Sequence, residues 1–283
     1  MHSHQHSSNA PQTGLDRIGS AFDRKTLRRI CQLPERAFPK AFKLDRQRVA
    51  QKAPADWYAY RDNGSSVLAV AHLDTVVRPD QRQCEYIKTA GGEIVYSGAL
   101  DDRLGAYVIL DMLPKLGVNV DVLLTTGEET GESTAAFFAP PKDYNWVVEF
   151  DRGGTDVVMY QYDDMETTEL VEMTGADVGV GTFSDIAFLE HLGVKAFNWG
   201  VGYQDYHSVR SHAYLDDLFL MLDHFLDFHD ANADTVLPHV ETHYGEWSEW
   251  TADDGQRVTD ECAEYFWRHD YAAHDYSGHD HPY

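Results

Sequence analysis

Cysteine is scarce and scattered in this chain, with only Cys31, Cys84 and Cys262 among 283 residues. Their spacing is not clustered, so neither a disulfide framework nor a cysteine zinc site is expected. A reducing, cytoplasmic setting fits that usage. Long apolar runs are also missing. Nowhere do the roughly eighteen consecutive apolar residues of an ordinary membrane-spanning helix occur. The opening stretch MHSHQHSSNAPQTG has no apolar segment of the kind a secretory signal needs. Basic charge is in deficit, 23 Lys/Arg against 47 Asp/Glu, for a net charge of −24. So negative a surface repels phosphate backbones and argues against nucleic-acid binding by the main body. No internal repeat is present.

What is there suits one medium α/β domain with extensions, or at most two small ones. Apolar residues make up 43% of the chain, enough for a sizeable core. The few cations are concentrated: residues 17–61 carry twelve Lys/Arg against four Asp/Glu. That segment is expected to dock on the acidic body, with an external partner as the alternative.

Four regions follow. Residues 1–14 read as a disordered tail whose histidines offer no fixed metal geometry. Residues 15–52 form a basic segment of short helices (Leu27, Ile30, Leu33), interrupted by Pro34 and Pro39. Residues 53–232 carry the main domain, and 233–283 an extension rich in acids, aromatics and histidine. Within the main domain, WYAYRDN, SSVLAVAHLD, CEYIKTA and EIVYSGA have strand-like lengths and turn residues between them. A helix is predicted from about 103 to 116, then the strand VDVLLTTGEE, a short helix to about Phe138, and the strand WVVEFD. VVMYQY (157–162) is predicted to return antiparallel. SDIAFLEHLG reads as a helix, AFNWGV as a strand, and 214–231 as a long amphipathic helix. This alternation predicts a three-layer α/β/α sandwich around a mixed, mainly parallel sheet.

Polar residues recur where those strands end, the edge at which open α/β sheets place their sites. They are His72 and Asp74 in AVAHLDTV, Asp101 and Asp102 in GALDDRLG, Glu128 and Glu129 in TTGEETGE, Asp151 in VEFDRGG, and His207 in QDYHSVRSH. Singly, each has an ordinary structural explanation: a helix cap, a strand-end acid, a core or loop histidine. Together they would gather two imidazoles and several carboxylates at one edge. Uncompensated, such carboxylates cost several kcal/mol each; two divalent cations remove that difficulty.

The succession H-x-D, D-D-R-x-G, G-E-E, an acid and a final histidine resembles the co-catalytic di-zinc exopeptidase clan. That group includes leucyl-type and tetrahedral aminopeptidases, peptidase T, and the glutamate carboxypeptidase and aminoacylase relatives. The resemblance covers about residues 57–230 and implies a zinc-exopeptidase, phosphorylase/hydrolase-like fold. It also implies that Asp101 bridges two metals, with His72 and Asp151 completing one site and Glu129 and His207 the other. Glu128 would be the general base and Asp74 would orient His72. The Asp101–Asp102 peptide is expected to be cis. Zinc suits these donors, with cobalt or manganese as substitutes.

Residues 73–100 and 152–183 leave no room for a lid or dimerisation domain, so a compact form is expected. The activity implied is an aminopeptidase acting on short peptides. An amidohydrolase or carboxypeptidase-like deacylase acting on acylated amino acids is the alternative, and a catalytically inactive metal-binding scaffold a third. Asp at position 151 favours the aminopeptidase. Ser184 and Asp185 are candidates for substrate binding, with a helix cap as the alternative. Arg103 is assigned to a substrate carboxylate or a structural salt bridge. Tyr203 and Tyr206 flank the final histidine and are assigned to aromatic packing by default or to the pocket wall, with Tyr206 a candidate for substrate binding. Neither a nucleic-acid nor a membrane partner is expected.

Overall fold

The computed structural model describes residues 14–49 and 56–240. The expectations for the N-terminal tail, and for most of the acidic C-terminal extension, lie outside the described residues. The basic segment folds as α1 (Gly14–Ala21), α2 (Arg24–Gln32) and α3 (Phe38–Phe42), then strand β1 (Asp45–Arg48). Asp23 caps α2, its carboxylate accepting from the Lys25 and Thr26 backbone N–H groups. The helix buries Leu27, Ile30 and Cys31 on one face and leaves Lys25, Arg28 and Arg29 exposed on the other.

The sheet continues with β2 (Trp57–Arg61), β3 (Val67–His72), β4 (Glu85–Thr89), β5 (Gly92–Tyr96), β6 (Asp121–Thr125), β7 (Trp146–Gly153), β8 (Asp156–Val158), β9 (Asp177–Val178), β10 (Ala196–Gln204) and β11 (His212–Tyr214). Its order is β1-β2-β6-β3-β7-β10-β11-β5-β4, with β8 and β9 off this path. β6, β3, β7 and β10 run parallel, while the flanking strands pair antiparallel. The sheet is therefore mixed with a parallel centre, as expected. Every residue of β3 and β6 is buried, the pattern of strands covered on both faces.

After β5 the chain turns through α4 (Leu100–Tyr107), a π-helical stretch (Val108–Met112) and α5 (Leu113–Lys115). α6 (Met165–Glu172) lies between β8 and β9, and α7 (Leu215–Asn232) follows β11. α7 buries Leu215, Leu218, Met221, Leu222, Phe225 and Phe228, the spacing of one helical face. Its phenylalanines meet the central strands: Phe225 stands 4.8 Å from Phe150 and 5.6 Å from Trp199, and Phe228 5.2 Å from Trp146. Each such ring contributes about 1.5–3 kcal/mol by burial. This cluster fixes β7 and β10 side by side. The chain stays with this body as far as Val240, with Leu237 buried and Val194 bridged to Pro238.

Several local expectations change. β1 was not anticipated, because DRQR is exposed throughout and owes its conformation to pairing with β2. SDIAFLEHLG forms two 3-10 turns, Asp185–Phe188 and Glu190–Leu192, rather than an α-helix. Gly193 ends them in a left-handed conformation (φ 68°). The short helix before Phe138 is likewise 3-10, at Glu128–Thr130 and Thr134–Phe137. VVMYQY is strand only to Val158, pairs antiparallel with β10, and then becomes a 3-10 turn.

Candidate metal centre

The parallel strands deliver their C-terminal ends to one edge. His72 closes β3, Glu128 and Glu129 follow β6, Asp151 lies near the end of β7, and His207 follows β10. Asp101 and Asp102 enter the same edge at the start of α4, and the peptide between them is cis. Behind this turn, Gly105 donates its N–H to Asp102 Oδ1 at 3.0 Å. A Cβ on Gly105 would come within 2.6 Å of the Phe150 carbonyl oxygen, so the close seating of α4 on β7 requires glycine here.

Asp101 is the centre of the group. Its Oδ1 lies 3.1 Å from His72 Nε2 and its Oδ2 3.1 Å from His207 Nε2. His72 Nε2 is also 3.5 Å from Asp151 Oδ2 and 3.6 Å from Glu128 Oε2, and His207 Nε2 is 3.0 Å from Glu129 Oε2. All five expected ligands and the expected base come together. Ligand atoms of His72, Glu128 and Asp151, and of His72, Asp101 and Glu129, form two groups each within 4.8 Å.

The surroundings fix these donors. His72 Nδ1 faces the main-chain oxygen of Asp74 at 3.1 Å, leaving Nε2 for the cluster. The Asp74 carboxylate is 3.7 Å from that ring, too far for a good hydrogen bond. It accepts instead from the Gly127 N–H at 2.9 Å and the Glu129 N–H at 3.1 Å. Asp74 thus orients His72 through its backbone and the Glu128-Glu129 turn through its side chain. Tyr203 donates to Asp151 Oδ1, and Ser184 lies 3.1 Å from Asp151 Oδ2.

Three expectations are corrected by burial. Ser184 and Asp185 are 1% and 0% exposed, so neither side chain faces a substrate. Ser184 also bonds Glu149 Oε2 at 2.6 Å, and Asp185 accepts from Thr125 and Ser133. The Ser184 side chain makes no helix-capping bond. Arg103 is fully buried, donating to the Leu33 and Ile30 carbonyls at 3.1 and 3.4 Å with its guanidinium 4.5 Å from the Phe38 ring. Among the described residues it forms no ion pair with an acid, and its buried guanidinium is turned to the carbonyls of α2's end rather than to a substrate. Tyr203 is buried against Asp151, whereas Tyr206 is 48% exposed beside His207, with ring centroids 5.0 Å apart.

Glu149 and Asn198, which the sequence reading does not single out, also pack against the cluster's supports. Asn198 Oδ1 accepts from the Asp151 N–H at 2.8 Å, and its Nδ2 donates to the Asp151 carbonyl at 3.1 Å. Glu149 is fully buried two residues before Asp151, hence on the same strand face. Its signal was an acid inside the apolar run WVVEF.

The electrostatics are those of too much negative charge in too little water. Burial pushes Glu128 up to about 9, with Asp151, Asp185 and Asp101 adding to the rise against the pull of His72. Burial and then Asp101 push Asp151 up to about 6. Burial holds Asp102 and Glu149 well above the carboxylate range. Conversely, hydrogen bonds to Asp101 and Glu129 raise His207 to about 11. Glu129 Oε1 and Asp102 Oδ2 are buried with no hydrogen-bond partner among the described residues, a costly state for a carboxylate oxygen. Imidazole nitrogens, converging carboxylates and an orphaned ligand oxygen fit a divalent-cation site.

Residues 57–209 match the family model described as peptidase family M28. The chain belongs to peptidase family M28. As an M28 peptidase it is a metallopeptidase of the co-catalytic zinc exopeptidase clan, and so a hydrolase. No curated protein matches the chain. Among solved structures, this M28 fold is similar to a tripeptidase from Staphylococcus aureus subsp. aureus mu50, at 13% identity and a TM-score of 0.54. The match covers 77% of this chain and 98% of that one. It is also similar to the aminopeptidase PepT from Bacillus cereus ATCC 10987, at 11% identity and a TM-score of 0.52, covering 76% and 97%. At such identities the likeness shows a common fold. No helix among the described residues of this M28 member is long and apolar enough to cross a membrane.

Proposed function

We propose that the protein is an aminopeptidase that releases N-terminal residues from short peptides, using two divalent cations, zinc foremost. The observation carrying this reading is the placement of Asp101, whose two oxygens each face a different imidazole at 3.1 Å. A carboxylate so placed is suited to bridging a pair of cations. His72 and Asp151 would complete one site, and Glu129 and His207 the other. Glu128, 3.6 Å from His72 and grouped with His72 and Asp151, is not needed to complete either site and is left for proton transfer.

When bound, a cation pair at such a site polarises the scissile carbonyl and acidifies water. Glu128 would take a proton from that water and hand it to the departing amine. Positive charge beside Glu128 favours its carboxylate form over the neutral form that burial imposes. Tyr203, Ser184 and Asn198 hold Asp151 in place, while Asp74 holds both His72 and the Glu128-Glu129 turn. The exposed Tyr206 ring beside His207 is placed to contact substrate. An intact set of donors and base argues against an inactive scaffold.

The test is a panel of aminoacyl-anilides and N-acyl amino acids, offered to the metal-loaded protein and its Glu128→Gln variant. Cleavage of the anilides alone, lost in the variant while bound metal is retained, is the expected result. Cleavage of the N-acyl compounds alone would replace the proposal with a deacylase.

A further inference from the structure

Helix α2 lies along the β4–β5 hairpin through a series of side-chain contacts. Arg24 pairs with Glu93, the Tyr86 hydroxyl donates to the Arg24 carbonyl at 3.1 Å, and the Arg28 guanidinium stands 5.8 Å from the Tyr86 ring. At the far end of the helix, Gln32 donates to Gln83 across 2.8 Å. The residues next to these two glutamines are Cys31 and Cys84. Both are buried, at 0% and 5% exposure, and both are free. Each thiol shifts the other's proton affinity and the Ser97 hydroxyl lowers that of both, so the three side chains are neighbours. They are far apart in sequence, so only the fold shows them as a pair.

We propose that Cys31 and Cys84 are a redox-modification site, a dithiol that a peroxide closes into a disulfide clasping α2 to the β4–β5 hairpin. Neighbouring thiols on segments already joined at the adjacent Gln32 and Gln83 need little backbone movement to pair. Cys84 is the less buried and reacts first. Its thiolate attacks one peroxide oxygen, the O–O bond breaks, and hydroxide leaves as water after taking a proton, giving a sulfenic acid. The Cys31 thiol then gives up its proton and attacks the Cys84 sulfur, forming the S–S bond, while the displaced hydroxide takes that proton and leaves as a second water. Two thiols are thereby oxidised by two electrons and one peroxide is reduced to two waters.

The bridge would join the N-terminal helices, which lie before the matched residues 57–209, to the strand pair leading into the Asp101 turn. Ser97, in contact with both sulfurs, follows β5 directly and accepts from the Ala99 N–H at 3.3 Å. Oxidation is therefore expected to tether the basic segment to the body without changing a cluster residue.

The experiment uses the full chain with Cys262→Ser, reduced and then exposed to hydrogen peroxide, followed by catalase, alkylation and non-reducing peptide mapping. The expected result is one linked peptide containing Cys31 and Cys84, loss of both alkylatable thiols, and their full return with dithiothreitol. Adding Cys31→Ser should remove the linked peptide and leave Cys84 as a sulfenic acid that dimedone traps. Two thiols still alkylated after peroxide sufficient to oxidise free cysteine would overturn the proposal. So would Cys84 driven to sulfinic acid beside an unmodified Cys31.

Discussion

The phenol of Tyr203, at the end of β10, donates its hydrogen to Asp151 Oδ1 on the neighbouring strand β7. Ser184 engages the other oxygen of the same carboxylate. Asp151 is thus held at both oxygens before any cation arrives. Tyr203→Phe should weaken one metal site by about 10–100-fold, the usual cost of losing a ligand's supporting partner. Titration of zinc against a competing chelator checks this, and an unchanged affinity would remove Tyr203 from the site's support.

Protons and metal compete for the same imidazoles. His207 is raised to about 11 by Asp101 and Glu129 in the metal-free cluster, and His72 also lies well above its ordinary value: its burial favours neutrality, but Glu128 and Asp151 outweigh it. His207 is therefore protonated at neutral pH, His72 is shifted in the same direction, and each imidazole must be neutral to bind metal. Zinc binding should release protons, and apparent affinity should climb as pH rises toward 11. Calorimetry at pH 7 in buffers of different ionisation enthalpy measures the release. Proton uptake would contradict the sign.

Gly105→Ala tests how closely α4 must sit on β7. The added methyl would meet the Phe150 carbonyl, which belongs to a central strand and has little freedom to move. A loss of about 1–3 kcal/mol is expected from such overpacking, read as a lower urea midpoint at unchanged slope. Metal content should fall as well, because the same turn carries Asp101.

Arg103→Met removes the donor that satisfies the Ile30 and Leu33 carbonyls at the end of α2. The half-buried Leu33 carbonyl would lose its donor among the described residues, while the Ile30 carbonyl would keep only the Leu33 N–H at 3.3 Å, at a cost of about 1–3 kcal/mol. Limited proteolysis should then cut residues 14–49 sooner than the body. Equal protection would mean that α2 is held without Arg103.

Much of this fold was legible in the sequence. β3, β6, β7 and β10 appear as apolar runs because both of their faces are covered, and each ends in a residue type costly to bury without a partner. The turn geometry was less legible. SDIAFLEHLG has the apolar spacing of a helix, yet its Asp185 is drawn inward to Thr125 and Ser133, and the chain settles into 3-10 turns. β1 carries no apolar alternation and exists through its partner strand. For Arg103 and Asp185 the sequence leaves a substrate contact and a structural role both open, and burial decides for the structural one.

The central claim is that Asp101 serves two cations at once. Metal analysis of the zinc-loaded, exhaustively dialysed protein and of Asp101→Asn, each with circular dichroism to verify the fold, tests it most directly. Two zinc equivalents per chain, both lost from a folded variant, is the predicted result. A single equivalent in the parent protein, or a variant that still holds two, would contradict it.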